Sequence, residues 1–157
     1  MRRLRVSYFN EQELVEVTPE LKRLLKSCIK YAMIAGGFDE DSEVSVSFVT
    51  NDRIREINSD FRNIDAPTDV LSFPLADNCE FDINPDSGLY TLGDIIISTE
   101  RASEQATEIG HTVQREMAFL VIHSTLHIIG YDHHDEDGED TKLMRQKERE
   151  VIAKLGI

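Results

Sequence analysis

The chain has 157 residues, of which 40% are hydrophobic and 30% are charged, which excludes a disordered segment and fits one globular domain over residues 1–157. No apolar run approaches the roughly 18 residues of a membrane helix, and no apolar segment follows the basic start, so we expect a cytoplasmic protein without a secretory signal or membrane contact. The net charge of -13 argues against a protein that holds long nucleic acid, DNA in particular, by bulk electrostatics.

The charge is unevenly distributed along the chain. Residues 1–62 carry ten basic and eleven acidic side chains, whereas residues 63–157 carry seven and nineteen. A phosphate-binding surface is therefore expected in the first part, on basic residues of the first strand and the first helix: Arg5, Lys22, Arg23, Lys26 and Lys30. The alternative is that these side chains only solvate a strand and a helix face.

The first elements are predicted to be a strand and a helix. Residues 4–8 alternate between apolar and polar side chains, as in a half-buried strand. Thr18 and Pro19 are typical of a helix N-terminus, and apolar residues at 3.6-residue spacing then continue to the glycine pair at residues 36–37. This segment is the clearest helix in the sequence.

The middle of the chain predicts two further strands with a short helix between them. Residues 44–48 alternate again, and residues 70–73 form a brief apolar run that Pro74 ends. Asn51 can cap the short helix. Three apolar residues of this helix are expected to face inward: Ile54, Ile57 and Phe61.

The second half predicts one more strand followed by helices. The apolar run at residues 92–98 suits a strand that is buried on both faces, and Ser98 or Thr99 can cap the helix after it. Longer helices follow at about residues 111–129 and 139–155. This order of elements predicts an α+β fold, a small mixed β-sheet with helices packed on it.

Three of the five histidines form an H-x3-H-x5-H pattern at the end of the long helix. His123 and His127 are four residues apart, so they project from one helix face and can bind one ion. His133 would lie about 15 Å from His123 if the helix continued, so the chain has to reverse, and Gly130 permits this. We expect a zincin-like site with one Zn2+ per chain, because three neutral imidazoles leave a fourth position open, as in catalytic zinc sites.

The neighbours of the histidine pattern bear on the reaction. Zinc lowers the pKa of a bound water to around 7. The spacing equals the metzincin HExxHxxGxxH pattern, but Ser124 stands where the peptidase has its glutamate base, which counts against proteolysis. Asp132 and His134 are alternatives to His133 as third ligand, and His111, about 18 Å along the helix, is expected to be a capping or surface residue. Core histidines without a metal are the alternative to a zinc site.

A polar segment before the third strand contains a second candidate. Arg62 lies at a helix end, and its planar guanidinium can hold a phosphate. The alternative is that Arg62 only pairs with Asp65 or Asp69 to fix a turn. Asp94 is a carboxylate within an apolar strand, so it has to be paired or to orient a metal ligand.

Four segments together resemble the YbeY-type endoribonucleases, also called ribosomal RNA maturation factors. The family pattern H-G-x-L-H-x-x-G-Y-D-H corresponds to residues 123–133, which read H-S-T-L-H-I-I-G-Y-D-H. The D-x-P-T-D-V-L-S-F-P signature lies at residues 65–74 and the L-G-D-I segment at residues 92–95. Met144 and Glu148 also fit the family's last helix.

The resemblance implies a zinc-dependent, single-strand-specific endoribonuclease that acts in ribosomal RNA maturation, at the 3′ end of the small-subunit RNA, and in ribosome quality control. It implies zinc on His123, His127 and His133 and a role for Arg62 in activity. The expected partners are single-stranded RNA and components of the small ribosomal subunit. The chain departs from the family at Ser124, where glycine is usual, and this reduces the space beside His123.

Two other functions stay open at this point. One is a zinc hydrolase of another class, a peptidase or amide hydrolase, with Asp94 or Asp132 as its base. The other is a non-catalytic ribosome assembly factor whose zinc serves folding. In the nuclease, Arg62 would neutralise charge on the phosphoryl oxygens during attack by water or by the ribose 2′-hydroxyl. Phe61 or Tyr131 could stack on a base, although both are expected in the core.

Overall fold

The computed structural model describes residues 1, 3–132 and 138–157, and these contain four strands and five helices. None of these helices is long and apolar enough to cross a membrane. The elements confirm the predicted α+β class, and they follow one another as β1 (Leu4–Asn10), α1 (Pro19–Ala35), β2 (Ser42–Val49), α2 (Asn51–Arg62), β3 (Val70–Pro74), β4 (Tyr90–Ser98), α3 (Thr99–Ile109), α4 (Val113–Ile128) and α5 (Glu139–Leu155).

The four strands form one mixed sheet in the order β1-β2-β4-β3. β1 pairs with β2 and β2 with β4 in parallel, whereas β3 pairs with β4 antiparallel. β1 and β3 are therefore the two edge strands. They lie three strand spacings apart, about 14 Å.

Helices cover the two faces of the sheet unequally. Alternate residues of the central strands, such as Val46 and Ile95, join the large core with α1 and α4. Ile96 points the other way because side chains alternate along a strand, and it packs with Ile54 and Ile57 of α2. α4 thus lies inside the larger layer and α2 on the opposite face.

Side-chain caps explain where several helices begin. The Thr18 hydroxyl accepts a hydrogen bond from a backbone N–H of the first turn of α1, as predicted. The prediction that Asn51 caps α2 is wrong, because the preceding Thr50 accepts from Arg53 N–H at 3.2 Å. The Asn51 side chain instead accepts from the hydroxyl of Ser98, the N-cap of α3, at 2.5 Å.

Two burial predictions are wrong, and both for the same reason: α2 covers only part of its face of the sheet. Phe61 was expected to face inward, but it is 74% exposed. It lies in the last turn of α2, beside edge strand β3, where Phe73 is its aromatic contact. β4 is not buried on both faces either, since Asp94 is exposed and Ile96 only half-buried.

Candidate active site

His123 and His127 lie one turn apart on α4, and their rings meet edge to face. The two Nε2 atoms are 3.1 Å apart. The Nδ1 atom of His123 is 2.8 Å from Oε1 of Glu148, and that of His127 is 2.9 Å from the carbonyl oxygen of Tyr131. A carboxylate and a carbonyl can only accept, so both rings carry a proton on Nδ1. If both rings are neutral, each Nε2 atom then carries a lone pair, and the two lone pairs point towards each other.

This donor set fits a metal ion. Two lone pairs at this separation repel each other, and a shared cation removes the repulsion. A metal-binding histidine usually donates its other ring N–H to a carboxylate or a backbone carbonyl, which is what Glu148 and Tyr131 provide. Within residues 1, 3–132 and 138–157, no group of three His, Cys, Asp or Glu residues is arranged to hold a metal. The predicted third ligand His133 and its alternative His134 lie outside these described residues.

The turn after α4 holds one of the two rings. Gly130 has φ +106°, in the region that glycine accepts without strain, and its N–H donates to the carbonyl of His127 at 3.0 Å. The helix therefore ends in a turn at the predicted glycine, while the predicted return of the chain to His133 falls outside the described residues. The turn brings the Tyr131 carbonyl to His127 Nδ1, and Asp132 follows with Oδ1 3.6 Å from His127 Nδ1.

Arg62 reaches the same region from the opposite face of the sheet. It is the last residue of α2, and its Nη2 donates to the carbonyl oxygen of Ser72 at 2.6 Å. Its Cζ lies 5.2 Å from the centroid of the Phe73 ring. The alternative in which Arg62 pairs with Asp65 or Asp69 is wrong, because Asp65 binds Nε of Arg55 at 2.8 Å and Asp69 accepts the Val70 N–H at 2.7 Å. An edge-strand carbonyl and an aromatic face thus hold the guanidinium.

The two histidines and Arg62 open into one cavity at the β3 edge of the sheet. Its volume is about 530 Å³, within the usual range of small-ligand sites. It contains a guanidinium, two imidazoles and two carboxylates. The polar and charged side chains that line it are Arg62, Thr68, Asp69, Ser72, His123, His127 and Asp132.

A pair of hydroxyls joins the strand of this cavity to its helix. Ser72 Oγ and Ser124 Oγ are 2.5 Å apart, and Ser124 is fully buried. Ser124 is the residue that follows His123, and Ser72 also holds Arg62 through its carbonyl. A continuous set of hydrogen bonds and covalent bonds therefore runs from Arg62 to His123.

The structure does not bring the predicted basic residues to this cavity. Arg5 lies on β1, at the far edge of the sheet, 3.9 Å from a carboxylate oxygen of Glu43. Arg5 and Lys26 border a separate depression of about 410 Å³. The other candidates on the exposed side of α1 line no part of the candidate site: Lys22, Arg23 and Lys30. Their contact with RNA stays a prediction.

Two further candidates lie away from the histidine pair. Asp94 is exposed on the face of the sheet that carries α2, and it accepts a hydrogen bond from the Ser45 hydroxyl. Of its two predicted uses the paired one is found, and Asp94 is not among the residues that line the cavity. The prediction that His111 is a capping or surface residue is wrong, because Thr112 caps α4 and the His111 side chain is only 11% exposed, with Nε2 2.6 Å from Oε2 of Glu116.

Two groups that shape the site have no role predicted from the sequence. Glu148 lies one turn after buried Met144 and three residues before buried Val151, so it shares the packed face of α5. A carboxylate on the packed face of a helix needs a partner, and this could have indicated a role for Glu148. The Ser72 carbonyl carried no signal, because every residue has one and only the edge position of β3 makes it an acceptor for Arg62.

Comparison with known proteins identifies the family. The model of the family described as "Endoribonuclease YbeY" matches residues 7–156. A curated relative of that name from Clostridium botulinum (strain Hall) is 43% identical, over 94% of this chain and 96% of its own. Another from Thermoanaerobacter sp. (strain X514) is 46% identical, over 94% and 95%. The solution structure of TM1509 from Thermotoga maritima has a TM-score of 0.57 at 28% identity and covers 96% of this chain and 91% of that one. These matches confirm the resemblance, and the chain belongs to the endoribonuclease YbeY family.

Proposed function

We propose that this protein is a zinc-dependent endoribonuclease that cleaves single-stranded RNA in the cytoplasm, during maturation of the small-subunit ribosomal RNA 3′ end and in ribosome quality control. The names of the relatives support RNA as the substrate. The observation that carries the proposal is the convergence of the two Nε2 atoms, 3.1 Å apart, with Arg62 in one cavity. Ribosomal small-subunit components are the proposed partners.

The residues proposed to hold the zinc are His123, His127 and His133. When bound, the metal supplies a Lewis acid for a phosphoryl oxygen and acidifies a water near neutral pH. Glu148 and the Tyr131 carbonyl keep both rings in the tautomer that presents Nε2 to the ion. These two acceptors come from different elements, so the ring orientations are fixed by the fold.

Arg62 is proposed to bind the scissile phosphate. One of its five N–H groups donates to Ser72 and the Phe73 ring packs on the guanidinium, so the side chain is oriented before substrate binds. Its positive charge then opposes the negative charge that grows on the phosphoryl oxygens. Removing one such donor in comparable sites lowers kcat by about 100- to 1,000-fold.

Asp132 is proposed to help orient the His127 ring together with the Tyr131 carbonyl. It is half-exposed, and its Oδ1 lies 3.6 Å from His127 Nδ1, the ring atom that points away from the proposed metal position. The attacking group is either a water or the ribose 2′-hydroxyl. Asp69 lines the same cavity, but its Oδ1 accepts the Val70 N–H at 2.7 Å and belongs to the turn before β3.

The backbone of edge strand β3 is less suited to binding a peptide than the cavity is to binding a phosphate. A peptide that binds beside an edge strand uses the backbone groups of that strand. Here the Ser72 carbonyl of β3 already accepts from Arg62 at 2.6 Å. Together with Ser124 in the position of a peptidase glutamate, this favours RNA over peptide substrates.

Arg62→Ala tests the proposal, with Arg53→Ala as the matched control. Arg53 lies on the same helix, about 13 Å along the axis, and pairs with Glu56 at the surface. Cleavage of single-stranded RNA, duplex RNA and a peptide panel is measured together with zinc content. We expect the parent and Arg53→Ala to cut single-stranded RNA only, and Arg62→Ala to lose about 100- to 1,000-fold in kcat while retaining zinc.

Two results would support the rival functions instead. Peptide cleavage by a parent that leaves RNA intact would indicate a hydrolase of another class. A parent without either activity, with Arg62→Ala supporting normal ribosome maturation in cells, would indicate an assembly factor.

A further inference from the structure

Phe61 presents an aromatic ring to solvent beside the candidate active site. It is 74% exposed, which is the largest value among the exposed large hydrophobic residues of the described chain. The neighbouring Ile54 and Ile57 of the same helix are buried. Its exposure is thus a local feature of the last turn of α2.

The ring is held in place rather than being loosely attached to the surface. Its centroid lies 5.7 Å from that of Phe73, with the planes at 66°. Phe73 also packs against the guanidinium of Arg62, with Cζ 5.2 Å from the ring centroid. One half-buried aromatic residue of β3 therefore positions both the exposed ring and the phosphate-binding side chain.

The surroundings favour a nucleobase as the group that covers this ring. Exposed aromatic rings next to a cationic phosphate contact are the usual means of binding single-stranded nucleic acid, because every base has a face that can stack. Arg62 follows Phe61 directly and lines the cavity of the two histidines. The Phe61 ring and the Arg62 guanidinium both contact Phe73, so the base of a nucleotide whose phosphate binds Arg62 can reach the ring.

We propose that Phe61 is a base-stacking residue that binds an unpaired nucleobase next to the phosphate held by Arg62. The inference rests on the proposed function, since it names a substrate subsite of that nuclease. It also supplies a physical reason for single-strand specificity. Bases within a duplex are already stacked on both faces, so only an unpaired base can cover the ring.

Phe61→Ala measures the contribution of the ring. Base–aromatic stacking corresponds to a loss of about 5- to 150-fold in binding when the aromatic is removed. Because the stack is present both before and during the reaction, the loss is expected in KM with kcat little changed. Phe61→Tyr is expected to retain the parent KM. Phe9→Ala is the matched control, since Phe9 is a 55% exposed phenylalanine on edge strand β1.

Substrates with one abasic riboside, placed at each position in turn, separate stacking from a structural role. One abasic position is expected to raise KM for the parent as Phe61→Ala does, and the two changes together are expected to cost no more than either alone. Losses that multiply at every position would overturn the proposal.

Phe61→Trp gives a direct readout, because the sequence contains no tryptophan. Its fluorescence is expected to be quenched when single-stranded RNA binds, and not when the RNA is abasic at the matching position. Phe9→Trp is expected to stay unquenched. A parent that cuts RNA while Phe61→Ala has an unchanged KM and Phe61→Trp is not quenched would refute this subsite and leave the proposed function intact. A parent that cuts no RNA would refute the proposed function itself.

Discussion

Glu148→Ala should weaken zinc binding although Glu148 is not a proposed ligand. Its Oε1 accepts the Nδ1 proton of His123 at 2.8 Å, and its side chain is 27% exposed. Without this acceptor the His123 ring can rotate or adopt the other tautomer, in which Nε2 carries the proton and cannot bind a metal. The variant therefore tests whether α5 keeps the pair in its metal-binding form.

The loss of zinc affinity in Glu148→Ala can be estimated in two ways. Removing the group that accepts a hydrogen bond from a metal-binding histidine typically lowers metal affinity by about 10- to 100-fold, which is about 1.4–2.8 kcal/mol. A hydrogen bond to a charged group is worth about 1.5–3 kcal/mol, and partial exposure reduces that value. We therefore expect a loss nearer tenfold than a hundredfold.

The assay is competition for zinc against a chromogenic chelator near neutral pH. Glu150→Ala is the matched control, because Glu150 lies two residues after Glu148 on α5 and contacts Lys147 at 3.7 Å and Gln146 at 3.5 Å, not a histidine. Glu148→Gln keeps an acceptor oxygen and should fall between the parent and Glu148→Ala. Equal zinc affinity in Glu148→Ala and Glu150→Ala would refute the reasoning.

The remaining predictions concern stability and thiol reactivity. Ser124→Ala removes the hydrogen bond to Ser72 and should lower the free energy of unfolding by about 1 kcal/mol in urea titration; an unchanged value would show that the bond contributes nothing. Gly130→Ala has space for its Cβ but forces φ +106° on an L-residue, so we expect a loss of about 1–3 kcal/mol, whereas an unchanged Tm would contradict the turn. Burial raises the pKa of both thiols, that of Cys28 to about 12, but Cys28 is fully buried and Cys79 only half-buried, so at pH 8 a thiol reagent should label Cys79 faster than Cys28; equal labelling of the folded protein would contradict the buried position.

The helices and strands were predictable where the signal is local. The Thr18 cap, the alternating residues of β2 and the glycine after α4 act through their immediate neighbours, so they can be recognised one segment at a time. Strand order depends on contacts between distant segments, and nothing in the sequence places β4 between β2 and β3. Phe61 shows the same limit, because helical periodicity identifies a face of α2 but not where the sheet beneath it ends.

In the candidate site, too, only the features that depend on local spacing could be predicted from the sequence. His123 and His127 share a face through helix geometry alone, so their proximity follows from spacing. Glu148 and Arg62 arrive from α5 and from the opposite face of the sheet, and only the assembled fold brings them together. Arg5 was predicted as a substrate contact from charge along the chain, but the strand order puts it at the far edge of the sheet.

The proposed metal centre is tested most directly by measuring zinc content and RNA cleavage on the same samples. The parent is expected to contain one zinc per chain and to cut single-stranded RNA, and His127→Ala to lose both. His111→Gln, which changes a histidine outside the cavity, is expected to keep both. Zinc-free parent protein that cuts RNA at the full rate, or His127→Ala protein that retains both zinc and cleavage, would contradict the central claim.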